Sequence, residues 1–218
     1  FFIGAVVNAA GQEKNTQKVG LFAFQPATNP AKVYVETLQG FEMISLGGAA
    51  AANPVSMVNS DGFVRLYDEP VKDEEGELIY PVIGKIVSNA SWNEVFIVLY
   101  GELKDGKPSY KGRTIELSKN AFPKGSFKFA NFSQRKIRGI LGNTKCQIAP
   151  NGIDTVRFED PPGEAIGVKF AYLSPRDNSW AKMISTKWVV PRDGRRIIFA
   201  FQNPDNGVMM TKTIPIRD

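Results

Sequence analysis

The stretch FKFANFSQRKIRGILGNTKCQIAPNGIDTVRFEDPP, residues 127–162, decides the predicted fold. Its apolar residues alternate with polar ones over short runs, and Gly, Asn and Pro separate the runs. Alternation with a period of two is typical of half-buried β-strands, and Gly, Asn and Pro mark the turns between them. The stretch therefore predicts a series of short antiparallel strands.

A fainter copy of the same pattern occupies residues 33–70. FKFANFSQRKIRGILG, from Phe127, falls on VYVETLQGFEMISLGG, from Val33, without a gap. Further along, TVRFEDPP matches FVRLYDEP, and the closing TIPIRD matches TIELSK. Similarity that keeps its order over a fixed period is typical of repeated structural units. The sequence thus predicts an internal duplication.

The predicted fold is all-β, with two tandem Ig-like or cupredoxin-like sandwich domains. The chain has 218 residues, enough for two ordinary domains, and its many Gly and Pro residues leave little room for long helices. The predicted division is a leader at 1–18, a first domain at 19–119, a linker at 120–126 and a second domain at 127–218. The hairpin region 167–190 is longer than its counterpart in the first copy.

The first residues, FFIGAVVNAAGQEKN, predict a signal-peptide remnant. An apolar run followed by small residues and a polar segment is typical of a cleavage region, here after Ala9 or Ala10. A first β-strand is the alternative. The run is shorter than the roughly 20 residues that cross a bilayer, so we expect no transmembrane segment in the mature chain. The predicted location is periplasmic or secreted.

The net charge of +5 is small, and along the whole chain Lys and Arg are interleaved with Asp and Glu. We expect this excess to serve solubility rather than nucleic-acid binding, so no nucleic-acid partner is predicted. One cysteine forms no intrachain disulfide, and its oxidation state indicates no compartment.

The absence of histidine excludes Ser-His-Asp and Cys-His catalysis and metal sites that need imidazole, including a cupredoxin copper site. Cys146 is expected to fill an apolar face. Asp68 and Asp160 each precede a proline-containing turn, where Asp commonly bonds nearby backbone. The acidic run at 73–77 lacks the spacing of a calcium loop and is predicted to be a solvated loop. No enzyme activity, cofactor or metal is predicted.

The candidate ligand contacts are aromatic side chains and basic side chains, on predicted strands or in the turn of the long hairpin, the groups that stack on sugars or bind anions: Trp180, Tyr172, Arg176, Trp92, Arg135 and Arg138. Core or turn packing is the alternative for the two tryptophans. A charged sheet edge that discourages aggregation is the alternative for the basic residues, including Lys145.

The runs NFSQRKIRGILGNTKCQIAPNG and SWAKMISTKWVVPRDGRRIIFAF, with the closing TKTIPIRD, resemble a class of uncharacterised small exported bacterial tandem β-sandwich proteins. That resemblance implies an extracytoplasmic β-sandwich. A more distant likeness is to the adaptor proteins of bacterial exopolysaccharide acetylation.

The first functional hypothesis is a noncatalytic exported binding or scaffold protein of the bacterial cell envelope, which holds a partner at a sheet edge or on the long hairpin of the second domain. The alternative is a carbohydrate-binding module or an exopolysaccharide assembly accessory. A carboxylate-dependent glycosidase is the third. The predicted partner is accordingly an envelope protein or a polysaccharide.

Overall fold

A computed structural model describes residues 15–29, 31–47, 51–59, 61–203 and 206–216. The regular secondary structure of these residues consists of β-strands alone, so the all-β prediction is confirmed. Residues 1–14 of the predicted leader lie outside the described residues, whereas residues 16–18, also assigned to the leader from sequence, belong to a β-strand. The chain divides into two compact units, Phe1–Ile115 and Glu116–Asp218.

Among the residues described, the first unit contains ten strands: β1 Thr16–Gln25, β2 Ala31–Thr37, β3 Gly40–Leu46, β4 Val55–Val58, β5 Phe63–Tyr67, β6 Val71–Lys72, β7 Leu78–Ile79, β8 Val82–Val87, β9 Glu94–Lys104 and β10 Lys107–Glu116. Eight of them form one sheet in the order β3-β2-β5-β8-β10-β9-β1-β4, and β6 and β7 form a separate hairpin. The inward residues of this sheet, such as Val33, Val64 and Ile97, form a buried apolar core.

The described part of the second unit contains eight strands: β11 Ser126–Asn131, β12 Ile137–Leu141, β13 Thr144–Ile148, β14 Ile153–Arg157, β15 Ala165–Leu173, β16 Trp180–Val189, β17 Arg195–Gln202 and β18 Met209–Ile216. They form two four-stranded sheets, β14-β11-β17-β18 and β13-β12-β15-β16. Phe129 and Ile198 of the first sheet share one buried core with Ile137 and Phe170 of the second. The second unit is therefore a two-layer sandwich. Its assignment as Ig-like or cupredoxin-like stays a prediction.

Both units pair their strands in the same order. The large sheet of the first unit reads as two blocks, β3-β2-β5-β8 and β10-β9-β1-β4, joined by a parallel pairing of Tyr110 with Gly84. The second unit has the same two blocks as separate sheets, β13-β12-β15-β16 and β18-β17-β11-β14. Each unit also has one long parallel pair, β1 with β9 and β11 with β17. The units share a topology; their descent by duplication stays a prediction.

The shared topology corrects the alignment made from sequence. Phe127 lies on β11, whose pairings match those of β1, whereas the sequence alignment placed Phe127 on Val33 of β2. For residues 127–162 the alignment was wrong by one strand, because alternation looks the same in every half-buried strand and a shift by one strand preserves most apolar matches. The closing match of TIPIRD with TIELSK does join equivalent strands, β18 and β10.

The predicted linker 120–126 lies within the second unit. Phe122 is fully buried there, with the Lys128 ammonium 5.2 Å and the Arg195 guanidinium 5.5 Å from its ring centroid. Residues 116–126 therefore form part of the second unit.

Candidate binding groove

The outward face of the sheet β13-β12-β15-β16 carries a groove of about 980 Å³. Alternation on these strands sends residues such as Ile137, Leu141 and Val168 into the core and their neighbours outward. We call the surface formed by the outward residues the basic groove; its members are Arg138, Ile140, Lys145, Gln147, Lys169, Ala171, Trp180, Lys182 and Ser185.

Strand register arranges these side chains in two rows across the sheet. In the first row Ile140 lies opposite both Lys145 and Lys169, and Lys169 lies opposite Ser185. In the second row Arg138 lies opposite Gln147 and Ala171, and Ala171 lies opposite Lys182. Each row therefore alternates cationic with neutral side chains. Neighbouring side chains in a row are about 4.8 Å apart, the spacing of adjacent strands.

A β-bulge brings Trp180 and Lys182 into the basic groove. Phe170 pairs with Ile184, but the next residue, Ala171, pairs with Lys182, so β16 contains one extra residue at this point. Without the extra residue, alternation from Ser185 would turn Lys182 and Trp180 toward the opposite face. Bulges re-aim side chains in this way.

Four cations line the basic groove: Arg138, Lys145, Lys169 and Lys182. The residues around the groove include no Asp or Glu, and among the described residues none of the four cations forms an ion pair. Like charges on one concave face attract anions from solution.

Positive and negative residues are also distributed unequally between the two units. The second unit carries seventeen Lys and Arg against nine Asp and Glu, and the first carries ten against thirteen. The net charge of the whole chain conceals this difference, because it combines a cationic unit with an anionic one.

Trp180 and Arg138, both predicted contacts, lie together in the basic groove. The Arg138 guanidinium carbon lies 4.1 Å from the centroid of the Trp180 ring, the geometry of a cation–π contact. Trp180 is half-buried, whereas Arg138 is exposed. The contact fixes the direction of the guanidinium over the groove.

Arg135 and Tyr172 form a second cation–π pair, with the guanidinium carbon 4.8 Å from the ring centroid. Neither residue lines the groove. Tyr172 packs against the core, and the Asn131 amide donates a hydrogen bond to the Arg135 carbonyl at 2.8 Å. These contacts give both residues a structural role at the end of the sheet.

The other two predicted contacts do not join the groove. Arg176 is exposed in the β15–β16 turn, where hydrogen bonds from Ser174 and Ser179 lower the pKa of the Asp177 carboxyl. Trp92 lies in the first unit and packs against the core of that unit. Core packing, the alternative considered from sequence, therefore describes Trp92.

The Cys146 thiol lies beneath the basic groove and packs against the core, and burial holds it in its neutral form. Burial, with a smaller contribution from the charge of Asp154, raises the pKa of Cys146 to about 12. A thiol with this pKa is almost entirely protonated near neutral pH and is a poor nucleophile. In the described ranges, no three His, Cys, Asp or Glu side chains are grouped to hold a metal ion.

The equivalent sheet face of the first unit has a different surface. Residues of β2, β3 and β5 form an aromatic cluster there with Tyr80, which lies between β7 and β8. The Phe41 ring stacks on Tyr80 with the centroids 3.8 Å apart and meets Tyr67 edge-on at 4.9 Å. Tyr34 completes it, 5.5 Å from Tyr80. The basic groove is thus particular to the second unit.

Sequence reasoning missed Lys169, Gln147 and Ser185 as groove residues. The run AIGVKFAYL contained a signal, because buried Ile166, Val168 and Phe170 alternate with Gly167, Lys169 and Ala171. The register of the four strands and the bulge decide which outward residues share a face. Neither can be predicted from the sequence of a single strand.

Comparison of the chain with family models and with curated proteins finds no match. Within the described part of the chain, no helix is long and apolar enough to cross a membrane.

Proposed function

We propose that this chain is a noncatalytic binding protein and that its second unit holds a polyanionic ligand in the basic groove. One observation carries the proposal: four cations, none ion-paired within the described residues, share one open concave sheet face. The four positive charges repel one another, and a bound anion offsets this repulsion. The cationic excess of the second unit supplies a long-range field that attracts such a ligand.

The chemistry of the groove supports a binding role rather than a catalytic one. Its lining provides no carboxylate for general acid or base catalysis, the chain has no histidine, and the Cys146 thiol is protonated near neutral pH. The Lys and Arg side chains of the groove therefore serve to bind a negatively charged ligand.

We place this binding role in the bacterial cell envelope. Support comes from the sequence resemblance to exported bacterial proteins and from the likeness to exopolysaccharide adaptors. Envelope polysaccharides often carry acidic groups, which makes them suitable ligands for a basic groove.

Affinity electrophoresis tests the proposal. The chain is run through gels containing dextran sulfate, polygalacturonate or neutral dextran, at two salt concentrations. We expect retardation by at least one polyanion, weaker at the higher salt concentration, and none by neutral dextran.

A charge-matched pair of variants locates the binding. The groove variant carries Lys145→Gln, Lys169→Gln and Lys182→Gln; the control carries Lys119→Gln, Lys136→Gln and Arg157→Gln, which removes the same charge from exposed positions of the same unit. At roughly 0.5–1 kcal/mol per lost contact, the groove variant should bind about tenfold to a hundredfold more weakly. Equal losses in both variants would contradict a groove site, and no retardation by any polyanion would overturn the proposed function.

A further inference from the structure

We propose that the ligand of the basic groove is an acidic polysaccharide that carries uronate carboxylates, and that Arg138, oriented by Trp180, determines this specificity. The inference rests on the proposed function, because it names the ligand class of the same groove. It is carried by the Arg138–Trp180 pair and by the order of charged and neutral side chains in the two rows.

Arg138 is arranged to bind a planar anion. Its guanidinium lies over the Trp180 ring, and within the described part of the chain this ring is its only partner. A cation over the ring face keeps the N–H groups at the guanidinium edge available. A guanidinium edge matches the two oxygens of a carboxylate in a bidentate pair, which a Lys ammonium does not reproduce.

The rows fit a polymer whose charges alternate with apolar and hydroxyl-bearing parts. Lys145 and Lys169 lie on strands on either side of Ile140, so their Cα atoms are two strand spacings, roughly 9–10 Å, apart. Ile140 is 48% exposed between them and offers an apolar contact to a sugar ring. Charges separated by uncharged ring surface are a property of uronate-containing chains.

Neutral polar side chains accompany the cations in both rows. Gln147 lies opposite Arg138, and Ser185 lies opposite Lys169. Both residues are exposed. Amide and hydroxyl groups both donate and accept hydrogen bonds, which suits sugar hydroxyls.

The same groove is a poor fit to single-stranded nucleic acid. Proteins that bind such strands stack successive bases on several aromatic side chains. In the basic groove Trp180 is the one outward-facing aromatic residue among those described, and Arg138 covers part of its ring. Phe170 lies below the sheet surface, only 2% exposed.

The test compares four probes of known charge chemistry by biolayer interferometry: polygalacturonate, carboxyl-reduced polygalacturonate, dextran sulfate and poly(dT). Wild-type protein should bind polygalacturonate most tightly at equal charge concentration and lose at least tenfold in affinity when the carboxyls are reduced. Preference for dextran sulfate or poly(dT) would overturn the uronate assignment and leave the proposed function standing. Binding to none of the probes would overturn both.

Two variants at the specificity pair sharpen the test. Arg138→Lys keeps the charge but removes the bidentate edge, so its affinity for polygalacturonate should fall about tenfold while its affinity for dextran sulfate changes less than about twofold. Trp180→Tyr should keep more polygalacturonate affinity than Trp180→Ala, because tyrosine retains a ring beneath Arg138. Equal losses for both polymers in Arg138→Lys, with unchanged thermal unfolding, would contradict the role of Arg138.

Discussion

At Gly139, on β12, the structure leaves no room for a side chain. A Cβ there would lie 2.2 Å from the Phe170 Cε1 atom and 2.9 Å from the Cys146 Sγ atom. Phe170 cannot easily move aside, since its ring is buried and packs against Phe129 with the ring centroids 4.8 Å apart. The missing side chain of Gly139 thus leaves the space that the Phe170 ring occupies beneath the basic groove.

We predict that Gly139→Ala lowers the free energy of unfolding by about 1–3 kcal/mol, the usual cost of overpacking a core. The matched control is Gly167→Ala on β15, where a Cβ meets nothing within 4 Å. That change should be neutral or stabilise the strand by about 0.5 kcal/mol. Urea unfolding of both variants checks the pair, and equal stabilities would show that the close approach at Gly139 is absent.

The Cys146 thiol gives a prediction in alkaline solution. Burial raises its pKa from 9.0 to about 12, so between these values the unfolded chain loses the thiol proton while the folded chain keeps it. The stability contributed by the neutral thiol is fully present below about pH 9 and is lost as the pH rises toward 12.

The destabilisation caused by Cys146→Ala should therefore shrink by about 1.4 kcal/mol between pH 8 and pH 10, since pH 10 is one unit above the unfolded pKa and one unit corresponds to that free energy. Urea unfolding of both proteins at the two pH values measures this difference, in which the titration of other groups cancels. A constant difference would mean that the thiol titrates near its usual pKa in the folded chain.

On the scale of elements, a distant carboxylate fixes the β12–β13 turn. The buried Asp160 accepts hydrogen bonds from the Asn143 backbone N–H at 3.1 Å and from the Asn143 side-chain amide at 3.0 Å. Gly142 has a φ of 57° in this turn, and a Cβ there would lie 2.3 Å from an Asp160 oxygen. The turn therefore depends on a residue 17 positions away.

Replacing Asp160 with Ala should cost about 1–3 kcal/mol of unfolding free energy, because the turn loses two hydrogen bonds to a buried, charged acceptor. Asp68→Ala is the matched control: Asp68 accepts a hydrogen bond from the adjacent Glu69 N–H, in an exposed turn, and its loss should cost no more than about 0.5 kcal/mol. Thermal unfolding distinguishes them. Similar small losses in both variants would show that Asp160 does not hold the turn.

These two aspartates show what sequence could and could not predict. A structural role was predicted for both from their Pro-containing turns, and Asp68 does bond neighbouring backbone. Asp160 instead bonds another hairpin, because tertiary packing brings it there. Hydrogen bonds within a turn can be predicted from adjacent residues. A contact between two hairpins depends on strand register, which adjacent residues do not determine.

The same distinction applies to the strands and the site. The alternation in residues 127–162 predicted β-structure correctly, since a period of two survives in every half-buried strand. Strand order was not predictable, since each strand resembles the next. Trp180 and Arg138 were suspected singly from their chemistry; their contact depends on the bulge between Phe170 and Ala171.

For the whole molecule, the division of charge is the property that bears most on function. An anionic first unit and a cationic second unit share one topology, and the same sheet face carries an aromatic cluster in one and the basic groove in the other. A common scaffold with different faces is how folds acquire separate functions. We infer that anion binding belongs to the second unit.

The most direct test is a map of ligand-induced amide shifts. The ¹⁵N-labelled chain is titrated with a short oligogalacturonate, and the shifts of assigned backbone amides are followed by NMR. The largest shifts are expected on β12, β13, β15 and β16, around Ile140, Lys169 and Lys182. Largest shifts in the first unit or on the sheet β14-β11-β17-β18, or no shifts at all, would contradict a ligand site in the basic groove.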